Sequence, residues 1–126
     1  MEFFESHAHY DDNKFDIDRD ILIPNMYKEG ISMIVSAGYS LKGTRNNIDL
    51  ANKYEYVYVT AGISPNDLKN DWENDIKEID NLISTYLSSG KILAVGEIGL
   101  DYHYDNCLLY TSLYNRSECV HFFFWN

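Results

Sequence analysis

Up to about residue 105 the chain repeats one rhythm: a short apolar run, a turn, then a stretch whose apolar residues recur three or four apart. The first run, FFES at 3–6, reads as a strand and leads straight into His7 and His9. Residues 14–29 follow with Phe15, Ile17 (or Asp18), Ile21, Leu22 and Met26 near helical spacing, which predicts a helix closed by Gly30. Pro24 lies inside that stretch and, lacking an N–H to donate, predicts a kink or a split. ISMIVSAG at 31–38 is apolar on both faces and rich in β-branched residues, as a parallel strand covered by helices would be. TRNNIDLANKY at 44–54 predicts the next helix, with Ile48, Leu50 and Ala51 inward, and YVYVTAG at 56–62 the third strand. The clearest helix spans 72–89, where Ile76, Ile79, Leu82, Ile83, Tyr86 and Leu87 form one stripe, acids fill the first turn and Gly90 stops it. KILAVGEIG at 91–99 predicts a fourth strand.

Strands alternating with helices over short loops imply parallel pairing through right-handed crossovers. Four such strands fit either an open doubly wound sheet or half of an eight-stranded barrel. Each predicted strand ends in polar or small residues: HAH, SAG, GISP and GEIGLD. Barrel enzymes carry their chemistry at that C-terminal rim. The expected fold is therefore α/β, the first half of a (β/α)8 barrel, truncated, with about four parallel strands and three to four helices. The rhythm stops after Asp105, so the expected division is a barrel half over 1–105 and a divergent tail over 106–126.

Composition narrows the partners. Acids outnumber bases 20 to 10 for a net charge of -10, and the bases are scattered. A protein that grips nucleic acid by neutralising phosphates carries a basic face, so passive duplex binding is not expected. A bound divalent cation would invert the local sign and could hold phosphate in place of Lys and Arg. No apolar run reaches the roughly 18 residues of a membrane helix, and no basic stretch followed by an apolar one opens the chain. A cytoplasmic location without membrane contact is the expectation. Cys107 and Cys119 both lie in the tail without zinc spacing, and a disulfide between them is not expected.

The chemistry concentrates at two rims. His7 and His9 are one residue apart, so an extended backbone points both the same way, where two imidazoles can share one ion. Read alone, the pair is also compatible with two surface histidines. Glu97 stands between Gly96 and Gly99 after the fourth strand. Glycines there permit close approach of backbone and cation, and a carboxylate can bridge two ions, although an isolated loop glutamate is commoner. Asp101 could orient a histidine from behind or merely cap a helix.

SHAHYDD near the N-terminus, FDIDRD in the first predicted helix, GISPND after the third strand and GEIGLDYHYD after the fourth occur in that order. Together they resemble the TatD family of metal-dependent deoxyribonucleases, over residues 1 to about 105. The resemblance implies a TIM barrel of the amidohydrolase type that hydrolyses phosphodiester bonds in DNA with divalent metal, be it Mg, Mn or Zn. It makes His7, His9 and Glu97 metal ligands, with Glu97 the catalytic bridge to a second ion, and leaves Asp101 a neighbour of the site. DNA is then the substrate, held through metal and not a basic patch.

Departures from the family pattern carry their own expectations. Glu5 replaces a usual Asp, and Ser64 stands where the G-x-H-P motif has the histidine thought to help hold phosphate. Serine donates a hydrogen bond but carries no positive charge, so substrate binding should weaken; Asn66 replaces a frequent second histidine. A TIM barrel takes about 250 residues, and the family's later ligands, two histidines and an aspartate, have no counterpart here. His103 is too near Glu97 in sequence to replace a ligand from a distant strand. His121 lies in the tail, which reads as a frameshifted or misassembled gene end. Weak or absent activity is expected of this fragment, with self-association through its open sheet edges. Two other readings stay open: a non-catalytic half barrel that binds a metal or a partner chain, and a hydrolase of small esters, lactones or amides.

Overall fold

The structure is a computed structural model that describes residues 2–69 and 71–99. Four strands alternate with three α-helices: β1 (Phe3–Ala8), α1 (Arg19–Lys28), β2 (Ile31–Ala37), α2 (Leu41–Lys53), β3 (Val57–Ala61), α3 (Trp72–Tyr86) and β4 (Ile92–Val95). All pairings are parallel and the strands lie in chain order, β1-β2-β3-β4. A doubly wound sheet reverses its order at a switch point. This one does not, so right-handed crossovers put every helix on the same face. That is the arc of a barrel. Among the described residues no helix is long and apolar enough to cross a membrane.

The register explains the two faces. Ile34 pairs with Val57 and Ser36 with Val59, so these side chains share the helix side, while Val35, Ala37, Tyr58 and Thr60 alternate to the other. Ala8, Ile34, Val57 and Val59 pack with Ile23 of α1 and with Leu50 and Ala51 of α2. A second cluster joins Ile48 and Ala61 to Ile79 of α3 and Ile92 of β4. In β1 the partners step from Glu5↔Ile34 to Ala8↔Ser36, three residues against two. The extra residue makes a bulge just before the strand's C-terminal end, a device that re-aims side chains at a sheet rim. With Ala8 turned to the helices, His7 and His9 on either side of it face away from them.

Residues 14–29 do not form the single helix that their spacing predicts. The Asp12 carboxylate accepts from the Lys14 N–H at 2.9 Å and starts a single 3-10 turn at Asn13–Phe15. The Arg19 guanidinium donates to the Tyr10 and Asp12 carbonyls and to the Asp16 carboxylate, tying 10–19 into a compact loop. The split therefore falls at 16–18, and α1 runs on through Pro24. Starting at Arg19 also resets the helix phase: Ile23 is fully buried, whereas Ile17 is 96% exposed and Ile21 65%. α2 begins earlier than its apolar residues suggest, because Ser40 Oγ accepts from the Gly43 N–H at 3.0 Å and caps it. α3 follows its predicted stripe as far as Tyr86. The chain then tightens into a 3-10 turn, Leu87–Ser89, closed by Gly90 at φ 68°, and Leu87 is left exposed.

Two substitutions test this phase. Ile34→Ala, at a wholly buried position, should cost about 2–5 kcal/mol, and Ile17→Ala should stay within about 0.5 kcal/mol. Urea unfolding followed by circular dichroism measures both; comparable losses would contradict the loop at 16–18.

Candidate metal centre

The rim of β1 and the loop after β4 bring three side chains to one point. His7 Nε2 lies 2.9 Å from Glu97 Oε1, His9 Nε2 lies 3.4 Å from the same oxygen, and the two ring nitrogens are 3.2 Å apart. His7 is exposed, and His9 and Glu97 are half-buried. Ligands of one cation at about 2.0–2.1 Å stand about 3.0 Å apart at adjacent octahedral corners and about 3.3 Å at tetrahedral ones. The triangle is thus one face of either polyhedron.

Its protonation also suits a cation. His9 Nδ1 is 3.2 Å from the Ala37 carbonyl, and a carbonyl can only accept. The ring nitrogen that donates to it is Nδ1, and in the neutral ring of that tautomer Nε2 turns a lone pair to the centre. Glu97 Oε1 is likewise an acceptor when ionised. Two ring nitrogens and a carboxylate oxygen converge here, a donor set that suits a divalent ion.

Backbone from β2 holds the arrangement although β2 contributes no ligand. The Ala37 carbonyl takes the His9 ring, and the next carbonyl, Gly38, accepts the Glu97 N–H. Gly38 N donates in turn to the Thr60 carbonyl at 2.9 Å, and Gly96 N to that of Ala61 at 3.0 Å. The strand ends must approach closely for this. A Cβ on Gly62 would stand 2.5 Å from the Gly96 carbonyl carbon, and one on Gly38 the same distance from the Thr60 oxygen. The glycines in SAG and in the GISP motif are there for contact between neighbouring chain segments.

The surroundings are acidic. Burial pushes the Asp67 carboxyl up from its ordinary range, and the Glu97 charge adds to the shift while Lys69 opposes it. Tyr39, whose ring meets the His9 ring edge-on at 5.3 Å, is raised by burial and then by Asp11, Asp67, Asp12 and Glu97. Asp11 is buried, and its Oδ1 has no partner among the described residues. Burial raises its pKa against the lowering influence of its own N–H, of His9 and of Asn47. No role follows for Asp11 from SHAHYDD alone, although two acids in a row after a histidine pair are a signal for one.

Of the other predicted site residues, Ser64 is buried. Its Oγ accepts from the Asn66 N–H at 3.4 Å, capping the 3-10 turn Pro65–Asp67, while its own N–H donates to the Tyr39 carbonyl at 2.8 Å. The hydroxyl is thus engaged in shaping the loop after β3. Asp101 and His103 lie outside the described residues, as do the tail 106–126, both cysteines and His121.

Comparison with known proteins gives a consistent result. The family described as TatD related DNase matches residues 4–112. An uncharacterized metal-dependent hydrolase of Methanocaldococcus jannaschii is 35% identical over 106 residues, 84% of this chain and 41% of the relative. The 3'-5' ssDNA/RNA exonuclease TatD of Cronobacter sakazakii is 32% identical over 91 residues, 72% of this chain and 33% of its own length. Among solved structures, a TatD family hydrolase from Entamoeba histolytica superposes with a TM-score of 0.75 at 24% identity, over 90% of this chain and 43% of that one. The chain spans about two-fifths of the length of the first two curated relatives, at 41% and 38%. The fold is the first part of a TIM barrel.

The close packing at Gly62 makes a direct test. Gly62→Ala must push the Gly96–Glu97 segment away and should lower affinity for Mn2+ or Zn2+ about tenfold or more, by titration calorimetry. Unchanged affinity in the folded variant would show that the β3 end does not set the position of Glu97.

Proposed function

Because the chain belongs to the TatD related DNase family, we propose that His7, His9 and Glu97 hold a divalent cation in a metal-dependent hydrolase that cuts phosphodiester bonds of DNA. The observation that carries this reading is the convergence of three ligand atoms within 4.8 Å of one another, drawn from both ends of the sheet. The name borne by the relative from Cronobacter sakazakii, a 3'-5' ssDNA/RNA exonuclease, supports a nucleic acid as the substrate class, DNA among them. When bound, a divalent ion supplies Lewis-acid chemistry: it draws charge from a phosphoryl oxygen and acidifies water near neutral pH.

The chain's own residues do the rest. His9, locked with its proton on Nδ1, presents a lone pair without rearrangement. His7 completes the pair from the exposed side of the rim, where a substrate phosphate can enter. Glu97 is the carboxylate assigned to catalysis: together with the histidines it would hold the ion, and its negative charge would help orient water there. Ser64 acts from behind, holding the loop after β3. The acidic surroundings keep unescorted phosphate out, so DNA is held through metal and not through a basic patch.

The three donors among the described residues would hold one ion weakly, and a two-metal arrangement needs more. The 126-residue polypeptide by itself therefore has little nuclease activity. A second reading, a half barrel that binds a metal or a partner chain without turnover, is favoured by the sheet's edges: β1 and β4 each lack a neighbour on one side among the described residues, and Phe3 and Phe4 are exposed. Open edges invite pairing, and two copies could associate through them.

Mn2+ or Zn2+ should bind the purified chain, with His7→Ala and Glu97→Gln each losing about tenfold or more in calorimetry. Incubation with DNA and Mg2+ or Mn2+ should give at most trace cleavage; robust cutting abolished by His7→Ala would refute the weak-activity reading. Absence of ion binding would remove the metal assignment itself. Size-exclusion chromatography should show a species larger than the monomer, and a strictly monomeric chain would exclude edge pairing.

A further inference from the structure

One element of the molecule is polar where its neighbours are apolar: the face of α2 that packs on β2. Asn47 and Ser36 are both wholly buried there, among residues that otherwise form the core. Ser36 Oγ donates to Asn47 Oδ1 at 2.5 Å, and Asn47 Nδ2 donates to the Ala37 carbonyl at 3.1 Å. That carbonyl is the one that receives the His9 ring. Buried polar groups are costly unless satisfied, and an apolar pair would fill the same space without that requirement. We propose that Asn47, oriented by Ser36, is a positioning residue for the cation site: it fixes the Ala37 carbonyl so that His9 keeps its proton on Nδ1 and its lone pair toward the centre.

The order of the bonds gives the reason. The Ala37 carbonyl can only accept, so the amide nitrogen faces it and the amide oxygen takes the Ser36 hydroxyl, which also lies 3.5 Å from the Ala8 carbonyl. A reversed amide would set two oxygens against each other. With that carbonyl anchored from the helix side, and Gly38 N bonded to Thr60, the peptide after Ala37 is held from two directions. His9 then meets an acceptor that does not turn. Outer partners of metal-bound histidines typically change affinity by about 10–100-fold. Asn47 acts one bond further out, so the lower end of that range applies. The inference rests on the reading of His7, His9 and Glu97 as cation ligands, but its central readout needs no metal.

The test uses the 126-residue chain with 15N-labelled histidine, metal-free, at a pH above the imidazole titration. Long-range 1H–15N correlation should show the His9 ring as the Nδ1–H form alone. Asn47→Asp keeps the size and the Ser36 bond but sets an oxygen against the Ala37 carbonyl. It should spread His9 over both tautomers and weaken Zn2+ binding about tenfold by calorimetry. Ser36→Ala, a gentler change that frees the amide to turn, should move both readouts in the same direction by less, and it carries the test if Asn47→Asp fails to fold. A residue that merely packs the core would lower the unfolding midpoint and leave both readouts alone. A single Nδ1–H form with Zn2+ affinity within twofold of the parent, in whichever variant folds, overturns the proposal. A tautomer shift in a chain that never binds Zn2+ would uphold the positioning of His9 and fail only the cation reading.

Discussion

Two consecutive carbonyls at the end of β2 hold the site together. The Ala37 carbonyl takes the His9 ring and the Gly38 carbonyl takes the Glu97 N–H. The two ligand-bearing segments lie on opposite sides of this strand in the sheet, β1 on one side and the continuation of β4 beyond β3 on the other. A parallel sheet makes this possible because all its strands end at the same rim. The carbonyls that run out of strand partners there are free to accept from side chains and loops. The site depends on this use of spare backbone acceptors, and the glycines at 38 and 62 depend on it in turn, since a side chain at either would hold the segments apart.

Electrostatics and geometry act in the same direction at the rim. Glu97, Asp11, Asp12 and Asp67 lie around the two histidines, and Tyr39 registers the crowding as a pKa raised by these acids beyond the effect of burial. Such a cluster, in which acids outnumber the nearby Lys14 and Lys69, is poorly disposed to a phosphate and well disposed to a divalent cation, whose charge reverses the balance. The acidic composition of the whole chain has the same meaning on a larger scale. Under the proposed function, a hydrolase that bound phosphate through metal would have no need of a basic face.

The bulge in β1 links the fold to this chemistry. The sheet demands that Ala8 face the helices, where it packs with Ile34 and Val59. The extra residue ahead of Ala8 lets the strand meet that demand while both histidines leave by the opposite side. Core packing and ligand direction are satisfied by one local irregularity.

Much of this was legible in the sequence. Alternating apolar runs gave the first three strands within a residue or two, whereas the fourth, expected over 91–99, ends at Val95; the stripe from Ile76 to Tyr86 gave α3, because burial against a sheet imposes a period on the chain. His7, His9 and Glu97 stood out for a related reason: a polar group at the end of an apolar strand has little structural use. The loop at 10–19 was hidden, since its shape comes from Arg19 reaching back to carbonyls of Tyr10 and Asp12, and no local pattern announces a side chain's distant acceptor. Ile23 was passed over because the helix phase depends on where that loop ends. Asn47 was hidden for the same reason, being an ordinary polar residue until β2 is laid against α2. Periodicity and residue type, which are local, fixed which elements form and which chemistry the rim carries. Only the tertiary structure decided which backbone carbonyl meets which ring, because that depends on contacts between strands far apart in the chain.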